Sequence, residues 1–100
     1  MSLINLYSSN VKRKKEELAR LKKERVKYVS DASSASQKII RLSNQLKSTK
    51  SASTLKSKYN EISREEKKKS DADKRIADYD KKIATKEKEL YSEELKLQKE

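Results

Sequence analysis

Glycine, proline, cysteine and histidine are all missing from this sequence, as are tryptophan and phenylalanine. Each absence removes a class of protein. Without glycine or proline, tight β-hairpin turns lose their usual residues, so a strand-rich fold is not expected. Without cysteine there is no disulfide framework and no thiolate metal site. Without histidine or cysteine the common nucleophile–base pairs and most transition-metal sites are also gone. A phosphate-cradling glycine loop cannot be built at all. No apolar run approaches the roughly 20 residues of a membrane span. The stretch at positions 1–7 is too short for the apolar region of a signal peptide, and Ser2 rules out N-myristoylation. Neither a cofactor nor a metal is expected, and a cytoplasmic location is.

What is present is charge. Of the 100 residues, 43% are Asp, Glu, Lys or Arg and only 32% are hydrophobic, with five tyrosines as the sole aromatics. That apolar content is too low for an ordinary globular core, and such a composition is ordered only through its pattern. The pattern is heptad. From Ile4 one series of seven-residue steps gives Ile4, Val11, Leu18, Arg25, Ala32, Ile39 and Leu46. A second gives Tyr7, Lys14, Leu21, Tyr28, Ala35, Leu42 and Thr49. Eleven of these fourteen are apolar or tyrosine, which predicts a long helix with one sticky stripe.

Seven of the eight residues at 47–54 are Ser, Thr or Lys. Hydroxyl side chains compete for backbone hydrogen bonds and favour caps and turns over helix interiors. Beyond them a new series starts out of phase: Leu55, Ile62, Lys69, Ile76, Ile83, Leu90 and Leu97. Its companion is taken as Tyr59, Glu66, Asp73, Asp80, Glu87 and Glu94. The expected fold is therefore all-α, an antiparallel two-helix coiled-coil hairpin. Helix is expected over 4–47 and 54–97, with a turn at 48–53 and Ser51 or Ser53 as N-cap. The alternative is one uninterrupted helix in a parallel coiled coil, which the break in phase argues against.

Folding the second helix back with paired positions adding to 101 layers Leu46 on Leu55, Leu42 on Tyr59, Ile39 on Ile62, Leu18 on Ile83, Val11 on Leu90 and Ile4 on Leu97. The same register sets Lys14 opposite Glu87 and Tyr28 opposite Asp73, but leaves Ala35 against Glu66 and Leu21 against Asp80. Glu16–Arg20, Glu65–Lys69, Asp71–Arg75 and Asp78–Lys82 have the spacing of helical ion pairs. Val26, Val29, Ile40, Ala72, Ala77, Tyr79, Ala84 and Tyr91 are left beside the seam, and a second hairpin packed there would make a four-helix or larger assembly. The sequence closes on "YSEELKLQKE" without a helix stop signal, so residues 1–100 are expected to be the front of a longer chain.

No residue is a candidate for catalysis. Adjacent acids such as Glu65–Glu66 and Glu93–Glu94 diverge around a helix and suit a solvated face or the seam. Positive charge is uneven: residues 1–50 carry 13 Lys+Arg against 4 Asp+Glu, or +9, and residues 51–100 carry 14 against 12, or +2. The runs "KRKK" at 12–15 and "KKK" at 67–69 would suit phosphates. Consecutive helical residues spread around all sides, however, and Tyr7, Tyr28 and Tyr59 are assigned to the seam rather than to a row for stacking bases. A solvated face is the expectation, with nucleic-acid binding and a stand-alone hairpin adaptor as alternatives. A nearly all-polar outer face argues against membrane binding.

The stretches "MSLINLYSSNVKRKKEELARL" at 1–21 and "STLKSKYNEISREEKKK" at 53–69 resemble the N-terminal coiled-coil regions that precede TIR domains in bacterial TIR proteins. The resemblance implies that the chain associates with copies of itself. It also implies a downstream domain, beyond Glu100, that cleaves NAD when clustered. The family's catalytic glutamate and NAD site belong to that domain, so no functional residue carries over to residues 1–100. This chain is expected to be no enzyme itself, a homo-oligomer of two or more copies, and a regulator in bacterial immune signalling.

Overall fold

The computed structural model describes residues 2–99 and is a helical hairpin. Helix α1 spans Leu3–Ser48 and α2 spans Ala52–Lys99, and the two pack against each other. Residues 49–51 alone join them, a shorter turn than the expected 48–53. Among the described residues there is no strand and no residue with positive φ.

Hydroxyl groups make this turn without glycine. At the end of α1 the Thr49 Oγ1 and Ser48 Oγ donate to the Gln45 carbonyl at 2.7 and 3.2 Å. The Thr49 N–H donates to the Leu46 carbonyl at 3.3 Å, closing a three-residue turn tighter than the α-helical one. Carbonyls that a helix end leaves without partners are thereby satisfied. On the other side Ser51 is the N-cap of α2. Its Oγ accepts from the Thr54 N–H at 3.5 Å, and its carbonyl accepts from the Leu55 N–H at 3.0 Å. Ser2 caps α1 in the same way, accepting from the Asn5 N–H at 3.2 Å. Lys47 in the last turn of α1, and Lys96 and Lys99 in that of α2, set positive charge against the negative ends of the helix dipoles.

The chain divides into two compact units, a turn unit, Lys27–Ile76, and a terminal unit, Met1–Val26 with Ala77–Glu100. In the turn unit Ala35, Leu42, Ile62 and Ala72 are buried. In the terminal unit Val11 and Leu21 are buried. Both stripes anticipated on α1 face inward in their own units, with the exception of Ile4, which is 48% exposed.

On α2 the companion stripe needs correction. Lys58, Glu65, Ala72, Tyr79, Lys86 and Glu93 turn toward α1, each one residue before its assigned counterpart. Of the assigned stripe, Tyr59 is 59% exposed, and Glu66, Asp73, Asp80 and Glu87 are exposed too. One residue on a helix is a rotation of about 100°, enough to exchange a carboxylate for an alanine at the seam. Placing Ala72 and Tyr79 inside, and Asp73 and Asp80 outside, spares two carboxylates from desolvation.

The cap assignments are testable by chemical denaturation. Ser51→Ala should lower stability by about 1 kcal/mol, whereas Ser53→Ala should stay within about 0.5 kcal/mol. The reverse ranking would move the cap to Ser53.

Candidate association surface

In the terminal unit a ladder of polar contacts runs along one edge of the seam. Lys86 lies between Glu17 at 2.8 Å and Glu89 at 3.2 Å, and Glu89 also takes Lys14 at 2.8 Å. The stem of Lys14 occupies a heptad position while its ammonium leaves the seam for the carboxylate, which is how a lysine is accommodated there. Further along, the Tyr79 hydroxyl donates to Glu24 at 2.7 Å, and Arg20 reaches the same carboxylate at 3.0 Å. The Asn10 amide donates to Glu93 at 3.4 Å, and Lys96 lies 3.6 Å from Glu93. The opposite edge holds Arg25 against Asp80 at 2.7 Å.

These pairs reveal the register. Lys14–Glu89, Glu17–Lys86, Glu24–Tyr79 and Asn10–Glu93 join residues whose numbers add to 103, not the 101 derived from aliphatic layering. In the turn unit, Gln45–Lys58 at 2.7 Å and Lys38–Glu65 at 3.9 Å obey the same rule. Lys14 therefore meets Glu89 rather than Glu87. Local ion pairs also differ from those the spacing suggested: Arg20 turns to Glu24, Lys69 to Asp73, and Lys68 to Glu65.

The residues assigned to association lie as follows. Val11, Leu21, Leu42 and Ile62 are buried. Leu18, Ile39, Leu46, Leu55, Ile76, Ile83, Leu90 and Leu97 are half-buried. Ile4 and Tyr59 are exposed, so neither fills the layer proposed for it. For Ile4 the register supplies the reason, since its level on α2 is residue 99, at the helix end. The inward positions missed were Lys58, Glu65, Ala72, Tyr79, Lys86 and Glu93. Ala72 and Tyr79, seven apart and each four residues before a seam isoleucine, Ile76 and Ile83, were the available signal.

In the turn unit the small side chains of Ala35 and Ala72 leave an open groove of about 350 Å³, edged by Asp31, Lys38, Glu65 and Arg75. Its charges are of both signs. Among the described residues no group of three or more His, Cys, Asp or Glu could hold a metal ion, and no helix is long and apolar enough to cross a membrane. Among the described residues the large uncovered apolar side chains are Val29, Ile40 and Tyr59 in this unit, and in the terminal unit Val26 and Tyr91, at 63% and 64% exposure, with Leu3, Ile4, Leu6 and Leu95.

Titration follows from the ladder. The hydrogen bond from Lys86 holds the Glu17 carboxyl below its ordinary 4.5, and that from Lys14, with Lys86 second, does the same for Glu89. The Tyr79 hydroxyl lowers Glu24. Glu17, followed by Glu89, raises Lys86 above its ordinary 10.5. A lowered carboxyl contributes its full stability above 4.5 and loses it as pH falls through the lower folded value. A raised lysine contributes below 10.5 and loses its share as pH climbs through the higher folded value. The hairpin should therefore be most stable between these limits. Lys86→Gln should reduce stability at pH 7 and shrink the difference between pH 7 and pH 3 in urea denaturation. An unchanged difference would show that the ladder does not govern the acid response.

Comparison of the chain with protein-family models, with curated proteins and with solved structures returns no match.

Proposed function

We propose that this chain is a self-association module. The observation that carries this reading is the thinness of the core. Val11, Leu21, Ala35, Leu42, Ile62 and Ala72 are the buried hydrophobic residues among those described, and two of them are alanines. Ordering a chain costs about 1.5 kcal/mol per residue, a sum that so narrow a seam offsets poorly by itself. Uncovered apolar residues lie on both units, Val26 and Tyr91 on one and Val29, Ile40 and Tyr59 on the other. Packing a second hairpin over them completes a four-helix core.

The resemblance of 1–21 and 53–69 to regions that precede TIR domains suggests what is gathered. On that reading the hairpin brings together NAD-cleaving domains in the same polypeptide, and assembly is the regulated step. The hairpin contributes no chemistry of its own. A cytoplasmic setting suits such a regulator.

Light scattering and sedimentation at micromolar concentration should report a dimer or larger species in ordinary salt. The paired change Val26→Asp and Tyr91→Asp should shift it to monomer with reduced helicity, because isolated helices of this composition are marginal in water. A wild-type monomer that stays fully helical and retains DNA at physiological salt would replace this reading with the nucleic-acid one. The hairpin alone should release no nicotinamide from NAD. In a protein joining it to a TIR domain, NAD cleavage should rise with concentration and fall with the same paired change.

A further inference from the structure

Lys15, Ala19 and Lys22 of α1 and Asp80, Ala84 and Glu87 of α2 all belong to the terminal unit and are exposed. Lys15 and Lys22 lie four residues after the seam residues Val11 and Leu18, and Glu87 lies four after Ile83. Because α2 runs opposite to α1, these edges fall on the same side of the seam. The Arg25–Asp80 pair at 2.7 Å fixes that side physically, joining the α1 stripe of Leu18 to the α2 strip that contains Glu87. The other side is occupied by the ladder through Lys86.

This side is composed differently from the rest of the unit. Ala77, Ala84 and Tyr91 on α2 form an uncharged row at seven-residue steps, about 10.5 Å apart along the helix, and Ala19 and Val26 on α1 are one such step apart, with Lys12 one step before them. Small side chains in such rows permit close approach of another helix. Beside them run a basic row on α1 and an acidic row on α2. Lys15, Lys22 and Glu87 take part in none of the ion pairs found among the described residues.

We propose that this side of the terminal unit docks the same side of a second copy, same end to same end, with α1 of one chain against α2 of the other. The proposal rests on the self-association reading and specifies its face and orientation. Charge decides the orientation. A two-fold axis parallel to the hairpin preserves levels, so the 103 register carries over to the contact between copies. Ala19 then stands level with Ala84 of the partner subunit, and Val26 with Ala77 of the partner subunit. Lys15 comes within one residue, about 1.5 Å, of the level of Glu87 of the partner subunit, and Lys22 within one residue of that of Asp80 of the partner subunit, an offset these side chains span. The alternative two-fold, across the hairpin, lays α2 on α2 and sets the acidic row against itself, where like charges repel.

The absence of native cysteine makes cross-linking direct. Ala19→Cys and Ala84→Cys are prepared as separate full-length variants of different mass, mixed in equal amounts at a concentration where wild type self-associates, and oxidised mildly. The geometry needs Cα atoms about 4.4–6.8 Å apart. The mixed 19–84 disulfide should exceed both like-with-like disulfides several-fold, beyond the two-to-one excess of random pairing. A random distribution, or a dominant like-with-like product, overturns this orientation while leaving self-association intact. A wild-type chain that sediments as a monomer overturns self-association too. A charge exchange tests the face separately. Lys15→Glu with Lys22→Glu should be monomeric alone, as should Asp80→Lys with Glu87→Lys, and their mixture should recover the dimer. Dimers formed equally well by each variant alone would place the interface elsewhere.

Discussion

Lys86, seated between two glutamates, illustrates the constraint on which the rest of the hairpin depends. An aliphatic stripe repeating every seven residues cannot by itself distinguish neighbouring registers, because the layers remain apolar when the helices slide. Polar groups at the seam can. With Glu17 at 2.8 Å and Glu89 at 3.2 Å, the Lys86 ammonium has partners on both helices, and Glu89 passes the connection on to Lys14. Individually such exposed pairs contribute little. Their value lies in exclusion: sliding the helices by two residues would leave Lys14 opposite Glu87 and remove Glu17 from Lys86. A narrow hydrophobic seam thus provides adhesion, and the polar ladder provides specificity.

The architecture was legible in the sequence because its signals are long and redundant. Six heptads on α1 and six on α2, separated by a phase break rich in hydroxyls, leave few arrangements besides a hairpin. The register was not legible, for a local reason. Two candidate companion stripes on α2 differ by one residue, and Tyr59 drew the assignment toward the acidic one. Lys58 and Lys86 appear as solvent residues to any hydropathy argument, yet their stems lie along the seam and only their heads leave it. Layering Leu18 on Ile83 treated side chains as discs, although long charged side chains reach along a helix and select partners a turn away. Ile4 was misplaced by the same register, since a two-residue shift brings it level with the end of α2.

The turn explains how a chain without glycine reverses direction. Helix ends commonly use a left-handed residue, for which glycine is preferred. Here no described residue has positive φ, and the backbone groups freed at the break are met by Ser48, Thr49 and Ser51 instead. Side-chain hydroxyls therefore perform two tasks, ending one helix and starting the next, within a three-residue connection. Short connections favour antiparallel neighbours, so turn chemistry and heptad phase point to the same fold. Agreement between local and global preferences is what makes such a sequence specific despite its thin core.

Composition also bears on how an assembly of this kind would be controlled. A broad apolar face would associate irreversibly and indiscriminately. Isolated exposed residues such as Val26 and Tyr91, set among charges, would give a surface of moderate attraction that selects a partner matched in charge. The formal charge of +11 would add a general repulsion between copies, which the proposed pairing of basic and acidic rows would offset locally. Association of the kind proposed would respond to concentration and ionic strength, because screening weakens the general repulsion and the specific pairing together. On the proposed reading, such a module would remain dispersed at low abundance and assemble in one geometry as abundance rises, the behaviour a clustering switch requires.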